Sequence, residues 1–361
     1  MNKCIICGMD VHERTIKTCT AAHNGAPEVQ TFPNTEGGRG ALIRYLRGLA
    51  KKHDCREMVT AYEACSLGFG LHDELTGAKM INHVLAPGLM RKSRRDVRRK
   101  TDEADARLIF ETIRGHILAG NNLPKVWVPP ADLRDDREVV RTRLEAGNKA
   151  TEVKTQIQML LKKNGVRKPA DVGDSWTARH RMWLHGMLAV KGPELGHGAK
   201  VALASLLRQL GALEEEIRRL DKAVEALSRL PRYQAASQAL VRRIQGVGML
   251  TAMVFLTEVG EMGRFPNRRR LASYLGLAPT SDESGEVTDR KGHINKSGTA
   301  RVRWVLCQAT WMRLRYDSQE AKVFERIRRG STKLTRVAQT ACMRRLSVLM
   351  WHTAKDAAKV A

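Results

Sequence analysis

The sequence is organised around one segment, Arg99-Lys100-Thr101-Asp102-Glu103-Ala104-Asp105-Ala106-Arg107. The apolar residues that follow it recur at helical spacing, which predicts a helix that starts here. Asp102 and Asp105 are three residues apart, so both carboxylates are expected on one face of that helix. Acids also favour the first turn of any helix, and this spacing by itself fits a solvated helix start as well as a metal site.

The ten residues before this helix are strongly basic. Seven of them are Lys or Arg, namely Arg91, Lys92, Arg94, Arg95, Arg98, Arg99 and Lys100. Acids on a helix face behind a basic loop suit a divalent metal held beside phosphate. We therefore predict that this loop contacts nucleic acid.

The charge balance of the whole chain points to a polyanionic partner. The 361 residues include 63 Lys or Arg and 38 Asp or Glu, a formal net charge of +25. Nucleic acid is the usual partner of such a chain, and an anionic membrane surface is the competitor. No apolar run approaches the roughly 20 residues of a membrane span, and the N-terminus lacks a signal-peptide pattern. We expect a cytoplasmic protein with no membrane partner.

The seven cysteines are scattered and odd in number, which argues against a disulfide framework. Cys4 and Cys7 form a C-x-x-C pair, but no second Cys or His pair stands at zinc-ribbon spacing. Both lie in an apolar run, so they are predicted to be buried in a strand.

The N-terminal third predicts a mixed sheet covered by helices. Strands are expected at 3–11, 15–21, 29–32, 57–63 and 79–85, with helices at about 37–52 and 66–77 and the Asp102 helix at the end. Three hairpin strands followed by alternating helices and strands suit a ribonuclease-H-like fold. Asp10 and Glu63 would lie at the carboxyl ends of two strands, where such sheets place ligands.

With Asp102 and Asp105, these acids make four carboxylates from three separate elements. Four carboxylates can hold two Mg²⁺ ions about 4 Å apart for phosphodiester chemistry. From the residues alone, the prediction is a metal-dependent nuclease or strand-transfer enzyme.

The middle of the chain predicts long helices. Trp127-Val128-Pro129-Pro130 has the composition of a linker, and helices are expected at about 132–163 and 197–229 with a bend at 192–198. Their near-heptad spacing fits an antiparallel hairpin or a coiled coil between subunits, and a bundle within one domain fits equally.

The C-terminal third contains Gly246-Val247-Gly248, a turn between helices that resembles a helix-hairpin-helix. Backbone N–H groups at such a turn can hold a phosphate, although tight helix packing explains the glycines nearly as well. Arginines flank the turn and favour nucleic acid. The residues predicted to contact nucleic acid here are Gly246, Gly248, Arg268, Arg269, Lys296 and Arg303.

A family resemblance joins these motifs. The matching segments are Gly8-Met9-Asp10-Val11, Glu63-Ala64, Lys100-Thr101-Asp102 with Asp105-Ala106, Gly246-Val247-Gly248, Arg264-Phe265, Ala272–Pro279, Ser284-Gly285, Ile294, Lys296, Gly298 and Arg303. In this order they resemble the DEDD transposases of bacterial insertion sequences, which are RNA-guided bridge recombinases.

The resemblance implies three parts: a RuvC-like metal-binding domain at 1–122, a helical or coiled-coil region at 123–235 and a transposase domain at 236–361. It implies that Asp10, Glu63, Asp102 and Asp105 bind Mg²⁺, with two ions expected per site, and that Ser284 attacks DNA to give a phosphoserine intermediate. Ser284-Gly285 is also ordinary turn chemistry, and Ser281 and Ser297 are weaker candidates.

The implied partners are DNA at the element ends and target, a noncoding guide RNA, and further copies of the chain in a dimer or tetramer. The implied location is the bacterial nucleoid. Two other functions fit the residues: a RuvC-like Mg²⁺-dependent, structure-specific nuclease that leaves Ser284 idle, and a non-catalytic nucleic-acid-binding protein.

Overall fold

The computed structural model describes residues 3–89, 101–189, 195–281, 291–296 and 298–360. It divides the chain into two compact units, Met1–Pro129 and Pro130–Ala361. The basic loop from Arg91 to Lys100, Ser284 and Ser297 lie outside the described residues. The predictions made for them therefore stay predictions.

The first unit is built on a five-stranded mixed sheet. Its strands are β1 (Cys4–Val11), β2 (Thr15–Ala22), β3 (Glu28–Pro33), β4 (Glu57–Glu63) and β5 (Ile81–Leu85). They lie in the order β3-β2-β1-β4-β5. The first three strands pair antiparallel, and β4 and β5 join β1 in parallel. The predicted mixed sheet is thus confirmed, and its order is consistent with a ribonuclease-H-like start.

Among the described residues, three helices cover this sheet: α1 (Glu36–Lys52), α2 (Gly70–Gly77) and α3 (Asp102–Ala119). Ile109, Phe110 and Ile113 of α3 pack on one face of the sheet, while Leu42 and Leu46 of α1 pack on the other. Each buried large apolar side chain contributes about 1.5–3 kcal/mol. Burial on both faces explains why β1 is almost uniformly apolar.

The two cysteines of β1 face opposite layers of this core. Cys4 packs with the α3 layer, and Cys7 packs with the α1 layer. Both are buried and neither forms a disulfide. The prediction of buried strand positions is confirmed.

The residues just before the predicted linker, Lys125 and Val126, pair with the sheet of the first unit. Lys125 forms a bridge to Leu85, and the N–H of Val126 donates to Val84 O at 2.7 Å. Val128 packs on the same core. Only the two prolines that follow coincide with the boundary between the units.

The second unit is helical apart from a two-stranded sheet of β6 (Pro279–Ser281) and β7 (Lys291–Ile294). Its helices, among the described residues, are α4 (Ala131–Lys163), α5 (Ala178–Gly186), α6 (His197–Ser228), α7 (Pro231–Arg243), α8 (Met249–Val259), α9 (Arg268–Tyr274), α10 (Ala300–Tyr316), α11 (Ser318–Arg328) and α12 (Thr335–Val360). None of the described helices has the length and apolar character to cross a membrane.

Helices α4 and α6 form an antiparallel hairpin within one chain. Arg143 pairs with Asp221 at 2.6 Å, while Lys154, eleven residues later, reaches back to Glu214 at 3.7 Å. Val153 and Ile157 pack with residues of α6 in a shared core. Of the arrangements that the sequence left open, the structure shows the intrachain hairpin. The short helix α5 near its distal end was not predicted.

The base of this hairpin is tied to the C-terminal helices. Buried Arg137 donates to Thr257 O at 2.8 Å and to Glu258 O at 2.9 Å. Arg141 pairs with the Glu258 carboxylate at 2.7 Å. These contacts place the two predicted regions in one unit, and a separation at 235 and 236 stays a prediction.

Candidate metal site and nucleic-acid contacts

Asp10 and Glu63 lie at the carboxyl ends of neighbouring parallel strands. In the register of β1 and β4, Met9 stands beside Tyr62. Asp10 and Glu63 are the next residues on each strand, so the two acids share one edge of the sheet. Both are partly buried. This is the placement predicted from the sequence.

The first turn of α3 supplies the other two acids. The hydroxyl of Thr101 caps the helix and accepts from the N–H of Ala104 at 3.2 Å. Asp102 is the first helical residue and is exposed, whereas Asp105 is half-buried. The positive end of the helix dipole favours carboxylates in this turn.

A glycine brings this helix to the end of β1. A Cβ at Gly8 would lie 2.2 Å from Phe110 N and 2.6 Å from Ala106 O. Only a residue without a side chain allows α3 to lie directly on the strand at this point. The acids of α3 consequently stand close to Asp10.

His12 bridges the acids of the strand and the helix. Its Nε2 lies 2.9 Å from Asp10 Oδ2 and 3.5 Å from Asp102 Oδ1. The turn that holds it is fixed by the N–H of His12, which donates to Thr15 O at 2.8 Å, and by the Asn34 amide, which donates to His12 O at 2.7 Å. The position of His12, two residues after a strand-end acid, is the sequence signal that could have identified it.

The electrostatics of this cluster favour a cation. Burial is the main cause that raises the pKa of Asp10, and the charges of Asp105 and Asp102 raise it further. The hydrogen bond and charge of His12 oppose that rise. A divalent cation would offset both the burial and the repulsion, because it lies among carboxylates as their counter-charge.

The donor set suits a divalent metal. One ligand atom from each of Asp10, His12 and Asp102 lies within 4.8 Å of the others. Carboxylate oxygens are the ligands that Mg²⁺ and Mn²⁺ prefer. An imidazole nitrogen suits Zn²⁺ better than Mn²⁺. Within the described residues, Glu63 and Asp105 stand outside this group of three although they flank it. Their roles as ligands stay predictions.

The helix-hairpin-helix-like turn lies between α7 and α8, as predicted. Gly246 has φ +84°, and a Cβ there would lie 2.7 Å from Arg313 N and 2.8 Å from Ala309 O on α10. Close packing therefore explains Gly246. Gly248 precedes α8 with open space around its missing Cβ.

Arg303 is turned inward in the described structure. Its Nη1 donates to Gly298 O at 2.6 Å and to Leu275 O at 3.2 Å, and burial lowers the pKa of its guanidinium. It joins α10 to the end of α9. Arg268, Arg269 and Lys296 are exposed and stay candidate contacts.

Two family descriptions match the chain. Residues 7–164 match the DEDD transposase domain of IS110 elements, described as "Transposase", and residues 238–325 match the description "Transposase IS116/IS110/IS902 family". The first match includes all four acids, and the second includes Gly246, Arg303 and Ser284. The long hairpin is only partly covered.

Individual proteins give the same result. A Sinorhizobium fredii protein named "Putative transposase y4qE" is 28% identical over 97% of this chain and 88% of its own length. A second from that organism, "Putative transposase y4rJ", is 28% identical over 73% of this chain and 67% of its length. The "Transposase for insertion sequence element IS1111A" of Coxiella burnetii is 32% identical over 30% of this chain and 26% of its length.

Proposed function

Because the chain belongs to the IS110/IS116/IS902 transposases, which cleave and transfer DNA strands, we propose that it is an RNA-guided, metal-dependent serine recombinase. The observation that carries the proposal is the convergence of Asp10, His12 and Asp102 at the carboxyl edge of the sheet. In a chain of net charge +25, a cluster of acids is explained if it holds a metal ion that contacts the phosphate of bound nucleic acid.

The acids have distinct tasks in this proposal. Asp10 and Asp102 would hold a divalent ion, and Glu63 and Asp105 would complete a RuvC-like site for two Mg²⁺. The metal, when bound, polarises the scissile phosphate and stabilises the departing oxygen. His12 contacts both carboxylates and would orient the Asp10 carboxylate toward Asp102.

Ser284 supplies the nucleophile in this proposal, and its role rests on the family resemblance. Its Oγ attacks the DNA phosphorus, and its proton passes to a nearby base. A P–O bond to serine forms as the bond to the leaving deoxyribose oxygen breaks, and that oxygen takes up a proton. A hydroxyl from a second strand then loses its proton to a base and attacks the phosphorus as the P–Oγ bond breaks. The serine oxygen takes up a proton, so the joining step needs no added energy source.

The guide RNA and the oligomer also rest on the resemblance. A noncoding RNA would pair with donor and target DNA, and two or four copies of the chain would hold the strands. The net charge of +25 supports binding of nucleic acid in general.

A second function, hydrolysis by a RuvC-like nuclease, is favoured by one observation: the three converging residues all belong to the first unit. Such an enzyme would cut branched DNA without Ser284. The third function, binding without catalysis, leaves the acid cluster unexplained.

A search for a covalent protein–DNA adduct tests the serine mechanism. The protein is co-expressed with the noncoding DNA that flanks its gene, then given labelled element-end DNA and Mg²⁺ and run on a denaturing gel. We expect an adduct that disappears in Ser284→Ala and remains in the matched controls Ser281→Ala and Ser297→Ala. Cleavage without an adduct, unchanged in Ser284→Ala, would support the nuclease instead.

A further inference from the structure

Helix α10 carries an exposed stripe of two tryptophans with an arginine at each end. The stripe consists of Arg301, Trp304, Gln308, Trp311 and Arg315, spaced by three and four residues in turn. This spacing keeps all five on one face of the helix. The side chain of Trp304 is 50% exposed and that of Trp311 is 39% exposed. We call this face the Arg-Trp stripe.

Large exposed tryptophans at regular spacing indicate a binding surface, because indole is costly to leave in water. The two rings are seven residues apart, about 10 Å along the helix axis. Trp311 is steadied by Phe324 of α11, whose ring centre lies 5.8 Å away. This contact restricts the motion of the Trp311 ring.

The charge around the rings favours an anion. The sequence of α10 contains four arginines and no acid. Among the residues that the structure describes, no carboxylate pairs with Arg301 or Arg315. By contrast, Arg313 on the opposite side of the helix pairs with Asp317 at 2.6 Å. Within the described residues, the two arginines of the stripe thus have no carboxylate partner, whereas Arg313 is paired with one.

The inner side of α10 is firmly packed, so the stripe is not a loose helix face. The backbone of Ala309 and Arg313 lies against Gly246, and Arg303 bonds to Leu275 O and Gly298 O. Val302, Val305 and Leu306 are buried. The helix can hold a ligand on its outer side without repacking.

We propose that the Arg-Trp stripe binds an unpaired DNA strand, with bases stacked on Trp304 and Trp311 and phosphates beside Arg301 and Arg315. Stacking on aromatic rings combined with backbone charges is how proteins hold single strands without sequence preference. Duplex DNA has no unstacked base to offer these rings. The choice of DNA rests on the proposed function, since DNA strands are parted where a transposase cuts and joins them.

The test is equilibrium binding of full-length protein without metal, so that cleavage plays no part. The probe is a labelled oligothymidylate about 20 nucleotides long, compared with a duplex and an oligouridylate of equal length. The variant Trp304→Leu/Trp311→Leu keeps the apolar bulk but removes the aromatic rings. Trp304→Phe/Trp311→Phe keeps rings, and Tyr316→Ala removes an exposed aromatic on the same helix beside the stripe.

We expect the double leucine variant to raise the Kd for oligothymidylate at least about tenfold while changing duplex binding less than about twofold. The phenylalanine and Tyr316→Ala variants should stay within about threefold of wild type. Arg301→Gln/Arg315→Gln should reduce the log–log salt slope for oligothymidylate by about 1.4. Asp10→Asn, which removes a metal ligand of the proposed function, should bind as wild type does.

Three results would overturn the inference: unchanged binding by the double leucine variant, an equal loss for duplex, or a loss confined to oligouridylate. A leucine variant that lowers the subunit number in sedimentation but still binds oligothymidylate normally would assign the stripe to contacts between copies. If Asp10→Asn cleaved DNA as wild type does, the proposed function would be contradicted, but the conclusion on strand binding would not change.

Discussion

Gly8 of β1 and Phe110 of α3 are in backbone-to-backbone contact, and a Cβ on Gly8 would lie 2.2 Å from Phe110 N. This contact sets the height of α3 above the sheet. Since Asp102 and Asp105 are in the first turn of that helix, it also sets their distance from Asp10. One hydrogen atom in place of a side chain thus links the core of the first unit to its candidate metal site.

Replacing Gly8 by alanine should damage both stability and the site. The added methyl group must displace backbone rather than a flexible side chain, so we expect a loss of about 1–3 kcal/mol in the free energy of unfolding. Urea denaturation measures it. Gly48→Ala is the matched control: that glycine is exposed in α1 with nothing within 4 Å, and alanine there should stabilise by about 0.5–1 kcal/mol. Equal stability of Gly8→Ala and wild type would refute the account of this contact.

Removing the imidazole of His12 should weaken metal binding. His12 contacts both Asp10 and Asp102, and we expect His12→Ala to lower Mn²⁺ affinity about 10- to 100-fold, as loss of a ligand or of its orienting partner does. A titration followed by electron paramagnetic resonance measures free Mn²⁺ directly. His53→Ala, an exposed histidine at the end of α1, should change nothing. The same Kd in both variants would exclude His12 from the site.

The N-terminal fold was predictable because local patterns settle it. Strand ends and helix spacing place Asp10, Glu63, Asp102 and Asp105 near one edge of the sheet. His12 was missed because its contacts depend on how the β1–β2 turn folds, and no periodic pattern records that. The role of Gly8 could not be predicted either, because a glycine in a strand does not indicate which part of the backbone packs against it.

The hairpin of α4 and α6 should lose stability in acid through Glu214. Hydrogen bonds from Arg181 are the main cause that lowers the pKa of Glu214. Its stabilising effect is therefore complete above the unfolded pKa of about 4.5 and disappears as the pH falls through the lower folded value. The free energies of unfolding of wild type and Glu214→Gln, from thermal melts, should differ by about 1 kcal/mol at pH 7, and the difference should disappear as the pH falls through the folded pKa of Glu214. Glu216→Gln on the same helix is exposed and should not show this pH-dependent difference.

Neutralising the basic loop should change the salt dependence of binding. The variant Arg94→Gln/Arg95→Gln/Arg98→Gln/Arg99→Gln is expected to bind duplex DNA more weakly, with a log–log salt slope lower by about one unit for each lost phosphate contact. Lys51→Gln/Lys52→Gln, at the exposed end of α1, is the control. An unchanged slope would mean that the loop does not touch phosphate.

The C-terminal unit was less predictable. The turn at Gly246-Val247-Gly248 was located correctly, but packing against α10 accounts for Gly246, and sequence could not distinguish this from phosphate binding. Arg303 was predicted to face nucleic acid, whereas its guanidinium bonds to two backbone carbonyls. The sequence does not distinguish an arginine that contacts nucleic acid from one that bonds to backbone carbonyls. Helix α5 escaped notice because its residues show no clear apolar stripe.

In the proposed function, the acids gathered at the end of β1 hold the metal used for DNA cleavage. The most direct measurement is Mg²⁺-dependent cleavage of element-end DNA by wild type, Asp10→Asn, Asp102→Asn and the matched control Glu103→Gln, an exposed acid of the same helical turn. Each aspartate variant should lose at least about 100-fold in rate, while Glu103→Gln keeps wild-type activity. Cleavage that persists in EDTA, or that Asp10→Asn carries out at the wild-type rate, would contradict the account.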